Sequence, residues 1–177
     1  RNLFGRGQKL ELKGTLGSKT QNIDLSFTEP YIYDMPLSGT VTLYNWKYNY
    51  DEYDKDSIGF GLSLSYPIFD YTRAKVGYVY DLADISDISD DAPNSIKELS
   101  GENVKSSVTT SLRYDSRDSL FVPTEGANHG GSIEFAGLGG DIGFLKYIGE
   151  STFYIPLFWE FVVAPHAEAG YVNKTKD

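Results

Sequence analysis

The sequence predicts an all-β fold, a transmembrane antiparallel β-barrel, with residues 1–177 forming one partial barrel domain. Three observations lead there. Runs of strict alternation recur along the chain, aromatic residues are abundant and mostly tyrosine, and the connections between runs alternate between two kinds.

The runs come first in the argument because period-two patterning gives a strand two unlike faces. Gln8 to Gly17 alternates Leu10, Leu12 and Leu16 with Lys9, Glu11, Lys13 and Thr15. Asn22 to Thr28 sets Ile23, Leu25 and Phe27 against Asn22, Asp24 and Ser26. Gly39 to Tyr50 is less regular, and a switch of facing is expected near Tyr44. Ser57 to Tyr66 places Ile58, Phe60, Leu62, Leu64 and Tyr66 opposite Gly59, Gly61, Ser63 and Ser65. Ala74 to Leu82 keeps Val76, Tyr78 and Tyr80 in phase, and Val104 to Asp115 opposes Val108, Leu112 and Tyr114 to Lys105, Thr109 and Arg113. Gly130 to Gly137, Phe144 to Leu157 and Phe161 to Val172 complete the set. Several runs are longer than the five or six residues usual in a soluble sandwich, and they suit a tilted strand crossing hydrocarbon. The polar phase carries both signs of charge: Lys9, Glu11, Lys13, Asp24, Lys75, Lys105, Arg113, Asp115, Glu134, Lys146, Glu150, His166 and Glu168. That composition suits a hydrated lumen with mutual charge pairing.

Composition agrees. Aromatics make up 15% of the chain, with 14 Tyr, 10 Phe and 2 Trp. Rings with one wet and one apolar end collect where hydrocarbon meets water. One girdle is expected from Tyr31, Tyr33, Tyr66, Phe69, Tyr71, Tyr114, Phe158 and Trp159, the other from Tyr44, Trp46, Tyr48, Tyr50, Tyr78 and Tyr80. The mean hydropathy of -0.35 does not argue against a membrane, since alternation dilutes the signal of barrel strands. The absence of cysteine excludes disulfides and thiolate metal sites. A net charge of -9 argues against nucleic-acid binding. The N-terminal Arg1-Asn2-Leu3-Phe4 is no signal peptide, so the chain reads as a segment of a longer protein.

One set of connections is compact, aromatic and Pro-bearing: Arg1 to Gly7, Glu29 to Leu37, Pro67 to Arg73, Ser116 to Gly126 and Pro156 to Glu160. The other is more polar: Gly17 to Gln21, Asp51 to Asp56, Ala83 to Asn103, Gly137 to Gly143 and the tail from Asn173. Short turns of a barrel lie on the periplasmic side and longer loops outside, so the first set is assigned to the periplasm of a bacterial outer membrane. Phe4, Tyr31, Arg117, Asp118, Phe121 and Trp159 are its candidate turn residues, the aromatics as anchors and Arg117 with Asp118 as the lock of the most charged turn. The longest loop holds Asp84, Asp87, Asp90, Asp91, Glu98 and Glu102 against Lys97 and lacks calcium-loop spacing. A helical turn is expected over Pro93 to Leu99, capped by Asn94 or Ser95.

No catalytic, cofactor or metal site is expected. His166 shares a phase with Glu168, which admits a barrel hydrolase, but no nucleophile motif accompanies them, and a polar pair in the lumen is the plainer reading.

The motifs themselves resemble a known family. Arg1-Asn2-Leu3-Phe4-Gly5-Arg6-Gly7-Gln8, Phe27-Thr28-Glu29-Pro30-Tyr31, Tyr66-Pro67-Ile68, the stretch RYDSRDSLFVPTEG from Arg113 to Gly126, and Tyr154-Ile155-Pro156-Leu157 are similar to the barrel domain of the BamA family. The resemblance runs the length of the chain and implies the third to eleventh strands of a barrel of about sixteen. It implies a non-catalytic wall segment of an outer-membrane assembly and insertion barrel, with no POTRA domain, sixth loop or final strands in this stretch. The implied partners are the lipid bilayer, the remaining strands and POTRA domains, unfolded outer-membrane proteins and accessory lipoproteins. A polypeptide-translocating pore of the same superfamily and a general diffusion porin stay open as alternatives.

Overall fold

A computed structural model describes residues 7–175. The strands are β1 (Lys9–Leu16), β2 (Thr20–Glu29), β3 (Ser38–Asn49), β4 (Asp54–Phe69), β5 (Thr72–Ser86), β6 (Gly101–Asp115), β7 (Gly126–Ala136), β8 (Phe144–Pro156), the short β9 (Val162–Val163) and β10 (His166–Lys174). They form one antiparallel meander in the order β1-β2-β3-β4-β5-β6-β7-β8-β10, with β9 paired to the end of β8. The sheet is open, a partial barrel with β1 and β10 at its edges. Among the described residues no helix is long and apolar enough to cross a membrane.

The register explains which side of each strand is apolar. Ile23, Asn45, Ile58, Leu82 and Val104 lie side by side across β2 to β6, and Leu25, Leu43, Phe60, Tyr80 and Ser106 form the next row. Further rows carry Phe27, Val41, Leu62, Tyr78, Val108 and Phe135, then Leu64, Val76, Ile133 and Tyr147. These side chains are largely exposed, Leu43, Ile58, Leu64, Val76 and Ile133 among them. A contiguous apolar face of this size is not stable against water and calls for lipid as its solvent. Its upper limit is sharp: the next row is Gln21, Lys47, Asp56, Asp84 and Glu102, in which Lys47 Nζ donates to Asp56 Oδ2 at 2.6 Å. Strand β5 spends Ala74 to Leu82 inside the band, within the roughly 9–11 residues of a tilted membrane strand.

Several expectations change. The facing of β3 does not switch at Tyr44: its register with β2 and β4 is continuous from end to end. Tyr44, Trp46 and Tyr48 therefore project from the polar face, and only Tyr78 and Tyr80 of the expected upper girdle lie on the apolar one. The run Phe161 to Val172 is two strands, because Pro165 has no N–H to donate and the ladder breaks between Val163 and His166. The acidic loop is shorter than expected, since β5 runs on to Ser86 and β6 begins at Gly101, so that Asp84 and Glu102 are strand residues. Its helical turn spans Asn94–Lys97, and Pro93 rather than Asn94 or Ser95 occupies the cap position, without a side-chain bond. The turn expected over Pro67 to Arg73 tightens to Asp70 and Tyr71, the latter at φ 60°.

Strands β5 and β6 outreach β7, which pairs with β6 only from Ser107 onwards. The β7–β8 loop folds back to cover the gap. Asp141 N donates to Val104 O at 2.8 Å, and Val104 N donates to Asp141 Oδ2 at 2.9 Å. On this extension of β5, Ala83 and Ile85 are buried, as is Ala92 in the β5–β6 loop.

Candidate functional site

The polar face is the opposite side of the same strands, and its charges are organised by register. Lys9 and Lys13 flank Glu11 at 2.7 and 3.6 Å. Asp24 lies opposite Lys13 and accepts from Trp46 Nε1 at 2.9 Å. Glu134, its side chain only 12% exposed, sits between Lys146 at 2.8 Å and Lys105 at 3.6 Å. Arg113 reaches Glu150 at 3.5 Å. Asp115 at the strand end is gripped by the Arg117 fork, with Nε to Oδ1 at 2.7 Å and Nη2 to Oδ2 at 2.6 Å. One cavity on this face takes lining from β3 to β8, including Thr42, Ser63, Lys75, Ser111, Ser132 and Glu150, which shows the sheet curving around it.

Two contacts on this face cross an intervening strand, and each needs a glycine. Tyr44 on β3 and Asp81 on β5 both flank Gly59 on β4, and Tyr44 Oη donates to Asp81 Oδ1 at 2.7 Å. A Cβ at Gly59 would collide with the Tyr44 hydroxyl and the Tyr80 carbonyl. Arg113 and Glu150 likewise flank Gly130, where a Cβ would come within 2.6 Å of Glu150 Oε1. The Tyr44, Trp46 and Asp81 network escapes a reading by alternation, which files aromatics with the apolar phase. Its signal was the phase itself, for Asp81 is out of step with Tyr78 and Tyr80.

His166 and Glu168 do not form a pair in the described contacts. His166 Nδ1 bonds Thr152 Oγ1 at 2.8 Å, and Glu168 stands opposite Glu150 in the register. No group of three or more His, Cys, Asp or Glu suited to a metal ion occurs among the described residues.

The turn from Ser116 to Glu125 is locked, but not by an Arg117–Asp118 pair. Arg117 turns back to Asp115, whose carboxylate holds the guanidinium above its usual range. Asp118 instead nucleates the turn: Oδ1 accepts from Ser119 N and Thr124 N at 2.9 Å and from Glu125 N at 3.2 Å, and Oδ2 accepts from Thr124 Oγ1 at 2.5 Å. These donors, the Thr124 hydroxyl foremost, hold the Asp118 carboxyl down at about 2. Gly126 closes the turn at φ 108°, with Ser116 packed where a Cβ would go. The turn displays Phe121, 95% exposed, and the β8–β9 turn displays Trp159, 89% exposed. Tyr31 is exposed at the β2–β3 turn, while Phe4 lies outside the described residues.

Comparison with known proteins agrees with this architecture. The chain is 33% identical over 174 residues to an outer membrane protein assembly factor BamA of Nitratidesulfovibrio vulgaris, covering 97% of the chain and 22% of that protein. A sorting and assembly machinery component 50 homolog of Xenopus laevis is 28% identical over 172 residues, covering 96% of the chain and 36% of the relative. The chain thus spans well under half the length of these relatives. The crystal structure of BamA from Haemophilus ducreyi lacking POTRA domains 1-3 superposes with a TM-score of 0.85 at 21% identity, over 98% of this chain and 37% of that one, and shares the fold. The Omp85 superfamily domain model matches residues 2–177, and the chain belongs to the Omp85 superfamily.

Proposed function

We propose that this chain forms part of the wall of an outer-membrane barrel that helps fold and insert other β-barrel proteins, without a catalytic residue of its own. The observation that carries this reading is the division of one curved sheet into an exposed apolar band and a charge-paired polar face, in a chain of this family. The apolar band contacts lipid, and the polar face, from Lys9, Glu11, Lys13 and Asp24 to Glu150, His166 and Glu168, lines the lumen. The turns bearing Tyr31, Arg117, Asp118, Phe121 and Trp159 face the periplasm.

An open sheet cannot leave its edges unpaired in hydrocarbon. Strands β1 and β10 therefore pair with further strands, the partners closest to this segment. POTRA domains, unfolded outer-membrane proteins and accessory lipoproteins are the partners of the whole protein.

The test uses the protein with its native flanking sequence, reconstituted in liposomes. A urea-denatured outer-membrane barrel is added, and its folding is followed by heat-dependent gel mobility. Acceleration over empty liposomes supports the proposal; no acceleration sinks it. A large, stable conductance without acceleration assigns the porin reading, and passage of a chain into the liposome lumen assigns the translocation pore.

A further inference from the structure

Most strand cations on the polar face have a carboxylate within ion-pair reach: Lys9 and Lys13 have Glu11, Lys105 and Lys146 have Glu134, and Arg113 has Glu150. Arg73 and Lys75 on β5 have no ion pair or side-chain hydrogen bond among the described residues, and both are exposed on the curved face. Arg73 is also directly opposite Arg113 in the β5–β6 register. Like charges in that position repel and destabilise the pairing. Glu150 relieves only Arg113, which it reaches across Gly130, and Glu150 itself stands opposite Glu168. One row thus reads Arg73, Arg113, Gly130, Glu150, Glu168, with cations gathered at one side and carboxylates at the other. The hydroxyls of Ser65 and Ser111 flank Lys75 in the adjoining row, and all line the cavity with Arg73 and Arg113.

We infer that Arg73 and Lys75, with Arg113 behind them, form an anion subsite that takes a side-chain carboxylate from a polypeptide segment lying along the polar face. A guanidinium fork and an ammonium flanked by hydroxyls suit a carboxylate, and the same row already joins a guanidinium to a carboxylate across a strand. The carboxylate comes from elsewhere in the same protein or from another chain. The second source rests on the reading that the barrel handles other polypeptides.

The test has two arms, on the protein with its native flanking sequence in detergent. The first compares the midpoint of heat-dependent gel mobility for the parent, Arg73→Gln, Lys75→Gln and the double variant. Lys55→Gln, which removes another lysine without an ion pair among the described residues, serves as control. If the subsite is filled from the same protein, the double variant melts lower than the parent while the control does not. The second arm titrates fluorescent hexaglutamate. If the carboxylate comes from another chain, the parent binds the peptide and the double variant binds it about tenfold more weakly. A double variant that melts at or above the parent, together with equal hexaglutamate binding, overturns the proposal, because relief of the Arg73–Arg113 repulsion is then all that is seen. Displacement of hexaglutamate by equimolar inorganic phosphate also overturns it, assigning the site to phosphate. The folding assay for the whole barrel is read separately, so failure of the subsite and failure of the assembly function are distinguishable.

Discussion

Tyr44 and Asp81 touch across a strand that lies between them. The phenol of Tyr44 on β3 passes over Gly59 on β4 and donates to the carboxylate of Asp81 on β5, at 2.7 Å. Asp81 is 9% exposed, so its partner matters. Tyr44→Phe keeps the ring but leaves that buried acceptor short of a donor, and it is expected to cost about 1–3 kcal/mol. Urea unfolding of the full protein in detergent measures it; a change below about 0.5 kcal/mol would mean that water replaces the phenol.

Gly59 and Gly130 play the same geometric part but are expected to differ in tolerance. A methyl at Gly59 meets the Tyr80 backbone carbonyl, which cannot step aside, as well as the Tyr44 ring. At Gly130 the three nearest atoms all belong to the Glu150 side chain, which can turn aside. Gly59→Ala should destabilise by about 1–3 kcal/mol, as overpacking does, whereas Gly130→Ala should loosen the Arg113–Glu150 pair with a loss below about 1 kcal/mol. Equal losses in the same urea titration would refute this account.

Glu134 carries two lysines from neighbouring strands. Glu134→Gln leaves Lys105 and Lys146 facing each other without a neutralising charge, with an expected loss of about 2 kcal/mol. Adding Lys105→Gln should recover part of it. Additive losses in that double-mutant cycle would show that the three residues are not coupled.

The charged turn should respond to acid late. The folded carboxyl of Asp118 titrates at about 2, below its ordinary 3.8, so its contribution is complete above 3.8 and disappears as pH falls through 2. Amide resonances of Thr124 and Glu125, which donate to Asp118, are expected to titrate near 2 in the native protein. A midpoint near 3.8 would show that these bonds do not persist in solution. In Asp118→Asn the titration should vanish.

Gly126→Ala should open the same turn at any pH. The residue sits at φ 108° with the Ser116 carbonyl against it, so a side chain is excluded by conformation and by space. Proteolysis between Ser119 and Val122 in the intact protein is expected to accelerate several-fold. Unchanged cleavage would place the strain elsewhere.

Much of this was legible in one dimension. Leu10, Leu12, Ile23, Leu25 and the Ile58-to-Tyr66 series declare their face by period two, because a pleated strand must alternate. Acid and base residues sharing a phase had to share a face, so the charged side was readable before any pairing was known. The Asp118 turn was recognisable as a lock, yet its partners were not, because a carboxylate bonds whichever N–H groups the turn happens to converge on.

Alternation alone determined the strand count to within the Pro165 break, the order of turns, and the apolar and polar faces of the strands outside β3. The tertiary structure decided register, and register decided everything that depends on a residue's neighbours across the sheet. It turned Tyr44 and Trp46 from girdle aromatics into hydrogen-bond donors, placed Gly59 and Gly130 under long side chains, gave His166 the hydroxyl of Thr152 as its partner, and set Arg73 against Arg113. The physical reason is that facing is a local property of the backbone, whereas a cross-strand neighbour lies tens of residues away and is chosen only when the strands pair.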